Sequence, residues 1–252
     1  MTLTPGDLLL AAIVSSMAAA IAYVRDPVRK AVIYILPLPF TAATLTLNLP
    51  VDSSHLVGAA LLPAFVWTVR ALYVKARLPI VLADALPLIA YGPVGWLLLR
   101  SLPAGDLLFW IALVLLGGVS ILLDRFLPRP SEPGHRTSLP LYVKVPITVA
   151  TVLVVMAVKS SLRGIVATFP YVGMFAVYEA RHSLYTLGRR CFTLSALLAA
   201  MFAVMKLLQG RIGVPLALAC GWAAYLALFL LLNRDVLPSK KPVAPAPPIS
   251  PE

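Results

Sequence analysis

Asp84, Glu179 and Lys144 are the ionisable residues in apolar stretches of this sequence whose positions could support chemistry. A charged side chain in such a stretch is energetically costly, so each residue is a functional candidate by default. Asp84 is the strongest, because Arg77 lies two helical turns away and cannot easily neutralise it, and an aspartate there suits cation or proton coupling. There are two structural alternatives. Asp84 could form an ion pair with Lys144, and Glu179 and Lys144 could simply lie at the membrane interface. The three could also form one paired cluster or gate.

Threonines recur at helical spacing in two apolar stretches, so that each set falls on one face of a helix. The two sets are Thr41, Thr44 and Asn48, and Lys144, Thr148 and Thr151. A polar stripe in a spanning helix must face protein or water rather than lipid. The stripes predict either a threonine-lined cavity or polar contacts that hold helices together.

A third candidate is an aromatic stripe, Tyr171, Phe175, Tyr178 and His182, with Glu179 beside it. Its spacing of i, i+4, i+7 and i+11 also lies on one helix face. It could line a ligand pocket, or it could be an aromatic packing face that ends at a membrane interface.

Other chemistry finds no support in the sequence. The three histidines have no metal-ligand spacing, and Cys191 and Cys220 have neither disulfide nor metal spacing. The GxSxG, HExxH and P-loop motifs are absent. We therefore expect no enzyme, no metal and no cofactor. An embedded lipid-modifying enzyme ranks last among the functions considered, for want of a catalytic constellation.

The composition decides which kind of protein must position these residues. The chain is 60% hydrophobic and 12% charged, against about 25% charged residues in a soluble domain. A water-soluble fold could not hide so much apolar surface, so the class is an all-α, polytopic membrane protein whose first partner is the lipid bilayer. The net charge of +11 does not indicate nucleic-acid binding, because the basic residues stand singly between apolar stretches.

Nine apolar stretches come close to the roughly 20 residues that a spanning helix needs. They are 7–24, 31–49, 55–73, 78–99, 107–123, 141–158, 164–180, 191–208 and 213–232.

Loop charge supports this count of spans. Alternate connections carry 16 and 5 of the 21 Lys and Arg residues. Basic residues concentrate in cytoplasmic loops, so we expect the N-terminus outside and the C-terminus in the cytoplasm of a cell (inner or plasma) membrane.

Two parts of the chain resemble each other. Residues 39–63 and 146–170 align without a gap and share nine identities, among them Pro39/Pro146 and Pro63/Pro170. We therefore predict two parallel four-helix repeats, at 25–123 and 141–235. An extra helix at 1–24, a Pro-rich cytoplasmic connector at 124–140 and a disordered Pro-rich tail at 236–252 complete the chain. Parallel repeats are a known plan for transporters.

The four prolines are predicted to kink helices at or near mid-membrane depth. Proline lacks the N–H of a helical hydrogen bond and clashes with the carbonyl four residues earlier. In lipid the freed carbonyl needs another partner or a water-lined cavity. The repeated prolines therefore predict bent helices, which could serve either a pathway or helix packing.

The second repeat resembles the GlpM-like family of small bacterial membrane proteins, which are about one repeat long. The resemblance covers about a third of the chain and rests on KVPITVATVLVVMAVKSSLRGIVATFP. The matching positions are Lys144, Lys159, Ser160, Gly164, Phe169 and Pro170. The first repeat departs from this pattern, with Pro37 in place of Lys144 and Asp52 in place of Lys159. The resemblance implies a duplicated integral membrane protein.

Two functions remain open from the sequence. The first is passage of a small solute or ion through the interface between the repeats. The second is an accessory or scaffold protein that holds a partner subunit in the membrane without transport. A homo-oligomer is compatible with both. Threonine faces that converge on a cavity would favour the first, and dry packing of those faces would favour the second.

Overall fold

A computed structural model describes residues 5–101, 105–135, 142, 146, 150 and 164–232. This part of the chain is helical and contains no strand. The helices are α1 (Pro5–Tyr23), α2 (Pro27–Ile35), α3 (Leu38–Leu47), α4 (Ser53–Arg70), α5 (Ile80–Ser101), α6 (Asp106–Phe126), α7 (Gly164–Ala167), α8 (Gly173–Glu179) and α9 (Leu184–Leu232). One π-helical stretch, Ala71–Lys75, extends α4.

Within the described ranges, five helical segments are long and apolar enough to cross a membrane, consistent with the predicted class of helical membrane protein. They are Pro27–Leu47, Ser53–Lys75, Ile80–Ser101, Asp106–Phe126 and Leu184–Leu232. A sixth, Leu8–Tyr23, is apolar but shorter. The predicted span at 141–158 lies outside the described residues, apart from positions 142, 146 and 150.

The segment α9 is a helical hairpin. Gly213 interrupts it with φ 78° and ψ 165°, a conformation open almost only to glycine. A Cβ added at Gly221 would lie 2.9 Å from Cγ of Met205 and 3.0 Å from Cγ of Met201. The two parts of α9 therefore pack antiparallel against each other in close contact. They cover the positions at which two spans, 191–208 and 213–232, were predicted.

Connections between the described helices meet at two ends of the bundle. At one end, the loop at 127–135 contacts the α1–α2 turn. A Cβ added at Gly134 would lie 2.8 Å from the carbonyl oxygen of Arg25. Its Glu132 accepts backbone hydrogen bonds from the start of α9, the nearer at 2.7 Å from Thr186 N. At the opposite end, the amide of Gln209 bonds both backbone groups of Val51.

The second predicted span is broken in the middle. Asp26 caps α2 by accepting a hydrogen bond from Arg29 N at 2.7 Å, and Pro27 starts the helix. The helix ends at Ile35 and α3 begins at Leu38. Pro39 therefore stands in the first turn of a new helix, where its missing N–H costs nothing, rather than in a kink. The Ile35 carbonyl, which Pro39 cannot satisfy, accepts a hydrogen bond from the Tyr225 hydroxyl of α9.

The seventh predicted span is also interrupted. Residues 168–172 separate α7 from α8, and Pro170 lies inside this break. The aligned residue Pro63 instead lies inside the continuous helix α4. The sequence match between these two prolines thus corresponds to different local structures, and Pro146 occupies an exposed helical position.

A distant side chain explains how α4 accommodates Pro63. Proline at position 63 leaves the Ala59 carbonyl without its helical donor. The Ser195 hydroxyl of α9 donates to that carbonyl at 2.8 Å. Both groups are buried, so the hydrogen bond replaces the one that proline removes.

We expect Ser195→Ala to destabilise the fold by about 1 kcal/mol, since it leaves a buried carbonyl without a donor. In a Pro63→Ala background, the restored N–H of residue 63 should make the same substitution nearly neutral. Reversible unfolding in mixed detergent measures both effects. Ser101→Ala is the matched control, because Ser101 is exposed and bonds only its own helix at the Leu97 carbonyl. Equal losses in both backgrounds would contradict this account of Pro63.

Candidate functional site

The two helix interruptions line one cavity. The break at Leu36–Pro37 and the break at 168–172 face each other across a space of about 50 Å³. Its other walls come from α3, α4, α8 and α9, through Phe40, Leu62, Gly173, Leu194 and Leu198. Two distant parts of the chain therefore bring irregular backbone to a single point inside the bundle.

Most of the lining is apolar, but Tyr34, Thr168 and Tyr171 bring hydroxyl groups to it. Tyr34 lies in the last turn of α2 and is 5% exposed, and its buried hydroxyl lies beside the Cys191 thiol of α9. That oxygen would lie 3.2 Å from a Cβ placed on Gly173. The absence of a side chain at Gly173 thus leaves room for the phenol at the cavity wall.

Tyr91 of α5 holds the second break against α4. Its buried hydroxyl lies 2.6 Å from the Gly58 carbonyl and 3.0 Å from the Thr168 carbonyl. The Thr168 hydroxyl turns back to the Ile165 carbonyl at 3.3 Å. Gly58 brings α4 so close that an ideal Cβ there would lie 1.6 Å from Oγ1 of Thr168. The position of the break therefore depends on a glycine and a tyrosine from the first half of the chain.

Asp84 lies in α5, four residues after its first residue, Ile80. Among the described residues, its buried Oδ1 atom accepts no hydrogen bond and the side chain has no ion pair. The carboxyl group predicted as the strongest candidate does not line the cavity.

In the described part of the chain, Glu179 contacts Lys30, a residue that the sequence did not suggest as its partner. Lys30 of α2 reaches the C-terminal end of α8, where its Nζ donates to the Glu179 carbonyl at 2.8 Å. The same Nζ donates to the His135 carbonyl at 2.7 Å and lies 3.9 Å from the Glu179 carboxylate. A buried cation thus joins α2, the loop at 127–135 and the end of α8.

His182 is exposed and stacks edge-on against His135, with ring centroids 4.5 Å apart. Burial lowers the pKa of His135, and the charges of Arg181, His182 and Lys30 lower it further. His182 therefore belongs to the end of the bundle rather than to the cavity. The predicted aromatic stripe is divided accordingly, since Tyr171 lines the cavity while Tyr178 lies under the Arg181 guanidinium.

The first threonine face does not line the cavity. Thr41 donates to the Pro37 carbonyl at 2.9 Å and accepts from the Trp222 indole at 2.8 Å. Thr44 is fully buried, and its hydroxyl has no hydrogen-bond partner among the residues that the structure describes. Lys144, Thr148 and Thr151 lie outside the described residues.

The described residues contain no group of three His, Cys, Asp or Glu side chains that could hold a metal ion. Cys191 is buried and Cys220 is exposed, and both are free thiols.

Several residues that shape the site were not singled out from the sequence: Lys30, Tyr34, Gly58, Tyr91, Ser195 and Tyr225. Tyrosines in apolar helices look like ordinary packing residues, and Lys30 looks like a loop residue beside Arg29. One usable indication existed, since Lys30 and Tyr34 stand at i and i+4 just before Pro37 and so share the face that reaches the break.

No protein-family model, no curated protein and no solved structure matches this chain.

Proposed function

We propose that this chain is an integral membrane protein that moves a small solute or ion through the interface between its two halves. The observation that carries the proposal is the cavity shared by two helix interruptions, one from each half. In lipid, backbone outside a helix is tolerated only where protein buries it or where it lines a water-filled space. Transporters commonly place their substrate sites at such discontinuous helices.

The size and lining of the cavity favour a small cargo. A water molecule occupies roughly 10–15 Å³ of such a space, so about 50 Å³ accommodates only a few waters or one small ion. Three hydroxyl groups at an otherwise apolar wall provide few fixed polar contacts. A large or highly charged substrate would require the two interruptions to move apart.

The proposal includes nine spans arranged as two parallel repeats after an extra N-terminal helix, in a cell inner membrane. The hairpin at Gly213 supports two crossings at the C-terminal end of the chain. The loops gathered at two ends of the bundle support the alternation of basic residues, and with it an outer N-terminus and a cytoplasmic C-terminus.

A membrane scaffold that binds a partner subunit is the second candidate, and one observation favours it. Thr41 packs against Trp222 instead of facing the cavity, so the first threonine face serves helix packing. Water access to the cavity distinguishes the two functions, since a scaffold has no need of it.

Cysteine labelling in intact cells tests the pathway. In a background where Cys191 and Cys220 are replaced by alanine, single cysteines are placed at Thr168 and Tyr171, both on the cavity wall. We expect a small water-soluble thiol reagent to label these positions several-fold faster than a cysteine at Leu197, which is fully buried in the core. We expect the faster labelling because water in the cavity would carry the reagent to these two positions.

Ile89→Cys supplies the second control, because Ile89 is 73% exposed on the apolar surface and should contact lipid. It should label as slowly as Leu197→Cys with a water-soluble reagent and readily with an apolar one. If the cavity positions react no faster than Leu197→Cys in folded protein, the pathway is wrong and capture of a partner subunit becomes the next experiment.

A further inference from the structure

We propose that the groove between α4 and α6 binds one membrane phospholipid, with an acyl chain lying between the two helices. The groove is separate from the cavity at the helix breaks, and none of its lining residues borders that cavity. The inference therefore does not depend on the proposed pathway.

The size and lining of the groove suit a hydrocarbon chain. Its volume is about 430 Å³, within the roughly 300–1,000 Å³ that is usual for small-molecule sites. Two serines, Ser53 and Ser120, lie near its ends, and the other described residues of its wall are Leu, Val, Ala, Pro and Phe. Such a wall favours an apolar ligand with a polar group at one end.

The contacts of α6 with α9 explain one side of the groove. An ion pair joins the two helices near each end of α6, Lys206 with Asp106 at 3.0 Å and Arg189 with Asp124 at 3.4 Å. Between these pairs α6 comes close to α9, since a Cβ added at Gly117 would lie 3.4 Å from a Cβ of α9. The position of α6 is thus set by α9 along its length.

The helix α4 is fixed to α9 independently, by the hydrogen bond from the Ser195 hydroxyl to the Ala59 carbonyl at 2.8 Å. Both helices therefore rest on α9, and the groove lies between them. Ala60 of α4 and Ala112 of α6 line this space, and their small side chains leave it open.

The groove is continuous with the apolar surface of the bundle. Leu115 and Val119 line it, yet these side chains are 59% and 50% exposed. They belong to α6, which is long and apolar enough to cross a membrane. The groove therefore opens onto the surface at which the protein contacts lipid, and the bilayer supplies its occupant.

The length of the groove distinguishes an acyl chain from a helix of a second copy. At about 1.5 Å per residue, the groove extends about 18 Å along α6, from Leu108 to Ser120, and about 15 Å along α4, from Ser53 to Pro63. The acyl chains of one leaflet cover about 15 Å, half of the hydrocarbon core, whereas a spanning helix needs about 30 Å. The groove thus has the depth of one leaflet.

The two ends of the groove give the orientation of the lipid. Ser53 is the first residue of α4, and Asp106, paired with Lys206, is the first residue of α6. A hydroxyl and an ammonium group at this level can donate to ester and phosphate oxygens. Phe192 lies towards the opposite end, since its neighbour Thr193 bonds Asp124 at 3.1 Å. The head group therefore lies level with Ser53, and the chain runs towards Phe192.

A lipid in the groove differs from the lipids that surround any membrane protein. Its chain contacts α4, α6 and Phe192 of α9, whereas a chain beside a single convex helix contacts the protein on one side. Dispersion attraction increases with the number of close atom pairs. We therefore expect the bound lipid to exchange more slowly than the surrounding lipids.

Photo-crosslinking of the full-length protein in phosphatidylcholine vesicles tests the site. A small fraction of the phosphatidylcholine carries a diazirine in one acyl chain, and peptide mass spectrometry locates the adducts. We expect several-fold more adduct on Val57 and Leu116 of the groove than on Ile89, which is 73% exposed on α5. A diazirine near the ester should label residues near Ser53, and one near the methyl end should label residues near Pro63.

Ala60→Phe should fill part of the groove and reduce the adducts on Val57 and Leu116 several-fold, with those on Ile89 unchanged. Ala90→Phe is the matched control, because Ala90 is exposed on α5 outside the groove and should change neither. If Ala60→Phe does not fold, the ratio of groove adducts to Ile89 adducts in the unmodified protein decides alone.

Two results would overturn the lipid site. The first is labelling of the groove that does not exceed the labelling of Ile89. The second is a disulfide between two copies of Ala60→Cys, in the background without Cys191 and Cys220, together with weak lipid labelling of the groove. That result would mean that a second copy of the chain covers the groove. Labelling that does not depend on the diazirine position would overturn the orientation.

Discussion

Lys30→Ala is expected to destabilise the folded protein by about 3–5 kcal/mol, the range measured when one partner of a buried ion pair is removed. The Lys30 ammonium bonds two backbone carbonyls and lies 3.9 Å from the Glu179 carboxylate, and both side chains are 2% exposed. Its removal leaves the carboxylate buried without this partner and frees the end of α8. Unfolding in mixed detergent, followed by circular dichroism, gives the free energy.

The control is a second lysine in the same chain. Lys206 pairs with Asp106 at 3.0 Å, but the Asp106 side chain is 82% exposed. Pairs of that kind contribute roughly 0–1 kcal/mol, so Lys206→Ala should be nearly neutral. Adding Glu179→Gln to Lys30→Ala should recover part of the loss, because the buried negative charge is removed. Similar losses for the two lysine variants would contradict a structural role for Lys30.

Gly58→Ala is expected to be the second severe change. A Cβ at residue 58 would lie 1.6 Å from Oγ1 and 2.8 Å from Cβ of Thr168, and rotation of the threonine relieves only the first contact. Overpacking of this kind costs about 1–3 kcal/mol. Alanine is favoured over glycine within a helix by about 1 kcal/mol, which offsets part of that cost. We expect a net loss of stability together with displacement of the break at 168–172.

Gly118→Ala in α6 separates the overpacking from the helix preference for alanine, since nothing lies within 4 Å of an added Cβ there. It should be neutral or slightly stabilising in the same unfolding assay. Thr168→Ala should recover part of the stability lost in Gly58→Ala, because it removes Oγ1, the closest atom, and leaves the contact with Cβ of residue 168. If Gly58→Ala were as well tolerated as Gly118→Ala, the close approach of α4 to residue 168 would be wrong.

The helical class of the fold follows from composition, because long apolar stretches have few alternatives to helix in a bilayer. The alternation of basic residues predicts which connections share an end of the bundle. The effect of each proline does not follow from local sequence. Pro63 stays within a helix because Ser195, 132 residues later, supplies a donor, whereas Pro170 lies in a break. Such long-range partners decide whether a proline bends a helix or ends it.

The candidate site was predictable only in part, for a related reason. Asp84 stands out because a carboxylate in an apolar stretch is rare. Lys30 was assigned to a loop, yet the Asp26 cap and Pro27 start α2 early enough to carry it into the bundle. Tyr34 and Tyr91 gain their significance from carbonyls and glycines on other parts of the chain. The sequence around each tyrosine contains no pattern that indicates these neighbours.

The separation in sequence between partners has a consequence for biogenesis. The Ile35 carbonyl accepts a hydrogen bond from Tyr225, and the Thr41 hydroxyl accepts one from Trp222. The break between α2 and α3 is therefore completed by two residues that lie 190 and 181 positions later in the chain. Ribosomes add about 5–20 residues per second, so the gap corresponds to about 10–40 s of synthesis. During that time the nascent chain holds the break between α2 and α3 without these two partners. Membrane chaperones and proteases therefore have a defined interval in which to recognise the unfinished first half.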